Sequence, residues 1–190
     1  MADGNYSFAA GQQAEAMHEG AFVWADSATV STPPPPFTSV ANNEFAVRAT
    51  GGVRLVTAIN ISGTPSAGVT LAAGSGTWGS LSDRNAKDNF APVTPQQVLA
   101  KVAELPITKW SYKTEQGVRH VGPMAQDFYA AFEVGEDNKH ITTVDEEGVA
   151  LAAIQGLNQK LNEKDGEIQD LKARLEKLEQ LMAEQTGGAK

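Results

Sequence analysis

Apolar residues recur in alternating steps of three and four from Ala150 to Met182, and this repeat constrains the chain more than any other feature. A repeat of this kind predicts a helix that buries one apolar face against partner helices. Lys164 interrupts the repeat once, close to Gly166. We call the repeated positions the seam; they are Ile154, Leu157, Leu161, Ile168, Leu171, Leu175, Leu178 and Met182.

Charged residues beside the seam indicate that the partner helices are parallel copies of the same chain. In a parallel, in-register coiled coil, each g position of the heptad faces the e position five residues later in the neighbouring helix. These pairs all join opposite charges: Lys160 with Asp165, Glu167 with Lys172, and Arg174 with Glu179. The sequence therefore predicts self-association through a coiled-coil helix at residues 149–190, rather than a helix packed only on its own domain. The seam alone leaves open whether two or three chains associate.

The chain before residue 82 divides into three zones that differ in composition and residue pattern. Residues 1–30 are rich in small residues and end on the apolar patch Phe22–Trp24, which predicts short strands with tight corners. Residues 31–42 contain the run Pro33–Pro36, which is typical of a stiff linker. Residues 43–81 alternate apolar and polar side chains between glycine turns, as β-strands do. Because these strands are short and few, we expect sister chains to cover their edges.

Residues 82–148 predict a small mixed α/β domain. A first helix is expected to begin at Thr94 and Pro95, with the Thr94 hydroxyl and Gln97 forming a capping box, and to end at Pro106. A strand over 107–112 and a return strand over 118–121 follow. A second helix is expected from Pro123, with Met124, Phe128 and Phe132 on one face, and a last strand at Ile141–Val144.

Composition narrows the classes of function. The 190 residues include 18 Gly and 9 Pro, and 41% are hydrophobic, which favours an elongated fold that depends on its partner subunits. A formal net charge of −8 argues against nucleic-acid binding, because phosphate contacts need clustered Lys and Arg. No window approaches the roughly 20 apolar residues of a membrane helix, and the start lacks a secretion signal. No membrane partner is expected, and without cysteine there is no disulfide or thiol chemistry.

Three motifs occur in an order that resembles a known family. Residues 82–87 read Ser-Asp-Arg-Asn-Ala-Lys, residues 122–126 read Gly-Pro-Met-Ala-Gln, and a long helix is predicted after Asp145. Together they resemble the intramolecular chaperone domain of phage endosialidases, tail spikes and tail fibres, to which a domain of the myelin regulatory factor family is related. Residues 9–27 also look like the β-roll heads of trimeric adhesins.

The resemblance implies an α+β, homotrimeric fibre end. The chain is then a tail-fibre protein of a phage virion or a phage-like particle, made in the bacterial cytoplasm. Its C-terminal domain would bring three chains together, guide folding of the fibre and be released by cleavage between Leu81 and Ser82. The partner is the chain itself, and a host-surface receptor is a further candidate.

The family motif assigns the cleavage to Ser82 as nucleophile and Lys87 as base, with Gln126 as a further candidate that stabilises the oxyanion. A serine hydroxyl needs a base, and an amine can be one only in its neutral form, which burial favours. Five residues of α-helix turn the chain by about 500°, so Ser82 must precede any helix if both side chains are to meet. The alternative interpretation is that Ser82 or Asp83 caps a short helix and Lys87 is a solvated charge.

Two rival functions remain besides the self-cleaving chaperone. A permanent trimeric structural or adhesin fibre would use the same domain without cutting, whereas a free-standing protease is disfavoured because the nucleophile adjoins its own scissile bond. No cofactor or metal is expected, since the acidic clusters at 136–138 and 145–147 lack the spacing of a calcium loop. His120 is interpreted as a strand histidine. The tryptophans are interpreted as packing residues: Trp24, Trp78 and Trp110.

Overall fold

The fold is known from a computed structural model that describes residues 1–27 and 35–187, with side chains through residue 184. The chain divides into two units, Met1–Asn89 and Phe90–Lys190. Its described residues form ten strands, three α-helices and one 3-10 turn, which confirms the predicted mixture of α and β structure.

The first unit begins with a coil of parallel strands. The rungs on one side of the coil are β1 (Phe8–Gly11), β3 (Phe22–Ala25) and β5 (Phe45–Arg48), paired in that order. On the other side β2 (Ala14–Glu15) pairs with β4 (Phe37–Thr38), also in parallel. The short strands with tight corners predicted for residues 1–30 are therefore present.

Small side chains fill the interior of the coil. Its buried residues are Ala14, Ala16, Ala21, Val23 and Ala25. A core this thin buries little apolar area, so it gives the coil little stability by itself. The phenylalanines point the other way and stack between rungs, with ring centroids 4.8 Å apart for Phe8 and Phe22 and 4.9 Å apart for Phe22 and Phe45.

The structure differs from the predicted boundaries around the proline-rich segment. Part of the linker assigned to 31–42 lies outside the described residues, which resume at residue 35. Phe37–Thr38 is strand β4, and β5 pairs with β3 rather than with the strands that follow it. Phe8 and Phe22 are fourteen positions apart, whereas Phe22 and Phe45 are twenty-three apart. Residues 37–48 therefore belong with residues 1–27 in one coil.

A separate antiparallel sheet completes the first unit. It consists of β6 (Val53–Ile59), β7 (Pro65–Leu71) and β8 (Trp78–Ser80), in that order. Asn60 closes the first turn, because its side-chain oxygen accepts hydrogen bonds from the amides of Ser62 and Thr64, each at 2.9 Å. Large apolar side chains of this sheet are exposed in the single chain, including Leu55 and Ile59.

The second unit contains α1 (Pro95–Glu104), β9 (Thr108–Trp110), β10 (His120–Gly122), α2 (Ala125–Phe132) and α3 (Thr143–Gly187), with β9 and β10 antiparallel. The predicted order of helix, hairpin and helix is confirmed. The expected Thr94 capping box is not, because the Thr94 side chain makes no capping hydrogen bond. Its carbonyl oxygen instead accepts hydrogen bonds from the amides of Gln97 and Val98.

The strand predicted at Ile141–Val144 is wrong, since α3 already begins at Thr143. The Thr142 hydroxyl accepts a hydrogen bond from the Asp145 amide at 3.2 Å and donates one to the Asp145 carboxylate at 2.7 Å. This reciprocal cap stabilises a helix start, so the long helix begins six residues before the expected residue 149.

One face of helix α3 is covered by α1, and another is exposed. Small residues face α1: Ala153 is 7% exposed, and a Cβ on Gly156 would lie 2.3 Å from the Pro95 carbonyl oxygen. Every residue of the seam, by contrast, is between 46% and 67% exposed. Packing within the chain therefore leaves the seam uncovered. Among the described helices, none is both long and apolar enough to cross a membrane.

We expect Gly156→Ala to lower the free energy of unfolding by about 1–3 kcal/mol, because the new methyl group collides with the backbone of α1. Gly166→Ala is the matched control, since a Cβ there meets nothing within 4 Å. It should stabilise the helix by about 0.5–1 kcal/mol. Thermal unfolding followed by circular dichroism at one fixed chain concentration measures both. Equal effects of the two substitutions would contradict the close packing of α1 on α3.

Candidate active site

Ser82 and Lys87 meet in the first unit. The Lys87 Nζ atom donates a hydrogen bond to the Ser82 Oγ atom at 2.6 Å. Proton transfer between a nucleophile and its base requires a separation of about 2.6–3.2 Å, so this pair satisfies the geometric condition. Both side chains are exposed in the single chain.

A tight turn between the two residues creates this contact. The 3-10 turn at Arg84–Ala86 is capped by Asp83, whose carboxylate accepts a hydrogen bond from the Asn85 amide at 2.9 Å. Lys87 then leaves the turn in an extended conformation, with φ −127° and ψ 155°. Ser82 precedes the turn, which meets the geometric requirement derived from the sequence. Asp83 is the cap that the alternative interpretation proposed, and the cap leaves Ser82 available to Lys87.

The bond predicted to be cut lies where the chain leaves the antiparallel sheet. Strand β8 ends at Ser80, and the Leu81 amide donates a hydrogen bond to the Gly68 carbonyl oxygen of β7 at 3.1 Å. Sequence analysis did not identify Gly68. A lone glycine inside a strand pattern often marks a bulge or a close backbone approach, and that signal was present at this position.

The pair can support acyl transfer when Lys87 is neutral. The neutral amine accepts the Ser82 hydroxyl proton, and the resulting alkoxide is adjacent to the Leu81 carbonyl. The sequence argument expected burial to favour the neutral amine, but Lys87 is exposed in this chain.

Gln126 lies in the second unit, on the first turn of α2. It lines a cavity of about 390 Å³ together with Trp110, Lys139 and Glu146. Its role as an oxyanion donor stays a prediction that rests on the family motif.

His120 is a packed strand histidine, as the sequence indicated. Its Nε2 atom lies 2.9 Å from a Glu115 carboxylate oxygen, and its ring stacks on Trp110 with centroids 4.7 Å apart. Trp110 is thus a packing residue. The other two tryptophans differ from expectation in the single chain, since Trp24 is 37% and Trp78 is 52% exposed.

The acidic clusters have structural roles. The pKa of Asp137 is lowered, because the Lys139 amide and then the His140 side chain donate hydrogen bonds to its carboxylate. Asp145 caps α3 with Thr142. Within residues 1–27 and 35–187, no group of three or more His, Asp or Glu side chains is placed to hold a metal ion.

Comparison with known families identifies the segment that begins at this pair. Residues 82–134 match the family model described as the chaperone of endosialidase. The match starts at Ser82 and includes Lys87 and Gln126, so the predicted resemblance is confirmed. Residues 82–134 are thus similar to the intramolecular chaperone domain of endosialidase-type proteins. No curated protein matches the chain.

Proposed function

We propose that this chain is the end of a homotrimeric tail fibre, whose C-terminal domain aligns three chains during folding and then cuts itself off between Leu81 and Ser82. The matched chaperone domain supports the folding role. The exposed seam supports self-association, and the hydrogen bond between Ser82 and Lys87 supports cleavage.

The seam is the observation that carries the proposal. Each leucine or isoleucine removed from water contributes about 1.5–3 kcal/mol, and the seam repeats such residues along the 45-residue helix α3. The chain's own α1 covers a different face of α3 and leaves the seam exposed, which supports burial of the seam by other chains. The three attractive charge pairs beside the seam favour a parallel arrangement in register. Three chains, rather than two, follow from the resemblance to trimeric fibres.

The sheet of β6, β7 and β8 gives a reason for a clamp. Leu55 and Ile59 are 55% and 64% exposed, and the outer strands present unpaired backbone groups. Closing such strands across chains involves contacts that are distant in sequence or between molecules, which form slowly. A coiled coil that holds the chains together raises their effective concentration and so speeds closure.

Cleavage proceeds in two balanced steps. Ser82 Oγ attacks the Leu81 carbonyl carbon while Lys87 takes the hydroxyl proton and returns it to the departing Ser82 nitrogen. The C–N bond is replaced by an ester, and the α-amine of Ser82 is free. Water then hydrolyses the ester, which gives a carboxylate on Leu81 and restores the Ser82 hydroxyl. Packing of sister chains over Lys87 would favour its neutral form and couple cleavage to assembly.

A permanent trimeric fibre that is never cut is the second candidate. The exposure of Lys87 in the single chain favours it, because the self-cleaving fibre needs a shielded base. Both candidates place the chain on a phage virion or a phage-like particle, where a host-surface receptor is a further partner.

Light scattering should show a particle of three times the 20.1 kDa chain mass. Changing Leu171 and Leu175 together to Asp should dissociate it, because each buried leucine contributes about 1.5–3 kcal/mol and a buried charge is costly. Changing Gln169 and Ala173 together to Asp is the matched control, since both lie off the seam. A wild-type monomer or dimer would exclude the trimer, and equal dissociation by both pairs would exclude the seam.

Deleting residues 150–190 before folding should leave residues 1–81 aggregated or disordered, because the clamp that aligns the strands is missing. Size-exclusion chromatography and circular dichroism measure the outcome. Soluble, ordered trimers formed at the normal rate by the truncated chain would show that the clamp has no chaperone role.

Freshly made wild-type protein should yield fragments that end at Leu81 and begin at Ser82. Ser82→Ala should abolish cleavage, and Lys87→Ala should slow it by about 10²–10⁴-fold. Ser62→Ala, in the exposed turn between β6 and β7, is the matched control and should cleave normally. The rate should rise with pH, because more of the Lys87 amine is neutral, and it should not change on dilution of the trimer. Intact-mass measurement follows all of these.

A trimer that stays whole at every pH would replace the self-cleaving fibre with the permanent one. Fragments that begin anywhere other than Ser82 would indicate a contaminating protease.

A further inference from the structure

The residues just before the predicted cut are bound as a strand. Ser80 pairs with Val69 and Gly79 with Thr70 in the antiparallel ladder of β7 and β8. The next hydrogen bond joins the Leu81 amide to the Gly68 carbonyl oxygen at 3.1 Å. This bond fixes the residue whose own carbonyl carbon is attacked in the proposed cleavage.

Gly68 can present its carbonyl group there only because it has no side chain. Its φ is +145°, and a Cβ at this position would lie 2.2 Å from the Leu55 carbonyl oxygen. The pairing of β6 with β7 shifts register just beyond Val56, the partner of Gly68. A glycine at such an irregularity allows the two backbones to approach closely. Strand β6 therefore sets the position of the Gly68 carbonyl group.

The side chain of Leu81 lies beside a cavity of the same sheet. The cavity has a volume of about 350 Å³; its lining is mainly apolar, with Leu81, Leu55, Val56 and Val69, and also includes Arg54. Leu81 is 43% exposed, so more than half of its surface is covered by neighbouring atoms. An apolar residue suits this position better than a charged one.

We infer that β7, backed by β6, is the substrate-binding strand of the self-cleavage reaction, and that its apolar cavity is the subsite for Leu81. The inference rests on the proposed function. Strand addition is a general way to bind an extended peptide: backbone hydrogen bonds supply affinity, and a pocket for a side chain supplies specificity. The substrate is the chain's own extended segment 78–81 with an apolar residue at its end. The sheet of β6, β7 and β8 then binds the segment before the cut, and the start of the chaperone domain supplies Ser82 and Lys87.

Gly68 is a positioning residue in this scheme. It touches the Leu81 amide and not the reacting atoms, yet it limits the orientations that the Leu81 carbonyl group can adopt toward Ser82 Oγ. Misplacement of a reacting group by about 1 Å can cost about 100-fold in rate. The fold of the sheet therefore controls the rate of cleavage.

Gly68→Ala in the full-length chain should slow cleavage by about 100-fold. The matched control is Gly63→Ala in the turn between β6 and β7. Gly63 also has a positive φ, of +77°, but nothing lies within 4 Å of a Cβ placed there. Both substitutions strain the backbone, and only Gly68→Ala displaces the group that holds Leu81. Intact mass gives the rate, and light scattering shows that each variant still assembles.

Labelling of Ser82 with a small fluorophosphonate separates positioning of the substrate from damage to the pair of Ser82 and Lys87. The reagent needs the activated serine and does not need the strand. Slow cleavage by Gly68→Ala with labelling at the wild-type rate would support the inference. Equal losses of cleavage and labelling would overturn it, as would cleavage at the wild-type rate.

Leu81→Lys provides a second test that changes no strand glycine and that applies if Gly68→Ala fails to assemble. It should slow cleavage at least tenfold, since a cation near Arg54 in a mainly apolar cavity is unfavourable, while labelling of Ser82 is retained. Val93→Lys is the control, because Val93 is exposed and lies outside the sheet. Unchanged cleavage by Leu81→Lys would overturn the subsite. A wild-type chain that never cleaves would overturn the proposed function and this inference together, whereas normal cleavage by the variants would overturn the inference alone.

Discussion

The two faces of α3 differ in what covers them: one packs against α1, and another carries the exposed seam. Ala153 and Gly156 allow α1 to pack closely on one face, and the seam of large aliphatic side chains lies on another. A helix that carried its leucines on the α1 side would bury them within one chain. Because the small residues are there instead, packing of α1 leaves the large apolar side chains of α3 exposed.

The candidate site follows a similar logic on a smaller scale. The 3-10 turn capped by Asp83 reverses the chain between two residues five positions apart. The Lys87 Nζ atom therefore reaches the Ser82 Oγ atom. The antiparallel sheet independently holds the preceding residue, Leu81, through Gly68. Ser82, Lys87 and the bond proposed to be cut are thus positioned by two local structures that meet at one peptide bond. Neither structure requires a deep cleft, which suits the proposed reaction of the chain with itself.

Sequence reasoning succeeded where periodicity or a family motif carried the information. The long helix and the helix before Pro106 follow from local spacing, and the contact between Ser82 and Lys87 was expected from the family motif. It failed where pairing is non-local: nothing near Phe45 reveals that β5 joins β3 across the proline-rich segment rather than β6. It also missed the cap formed by Thr142 and Asp145, because the β-branched residues at 141–144 favour a strand. The register that brings Gly68 to Leu81 could not be read from the sequence, since it is set by the pairing of β7 with β8.

The two faces of α3 also separate events in time. Docking of α1 on Gly156 joins parts of one chain, so it follows first-order kinetics and proceeds at any dilution. Burial of the seam needs an encounter between chains, so its rate depends on how many newly made copies are nearby. A chain made in isolation would therefore wait as a folded helical hairpin with its leucines exposed. Clustered synthesis on one messenger RNA would shorten that wait, because newly made chains would then be close together. In the proposed trimer, the local density of ribosomes would therefore affect how many chains assemble.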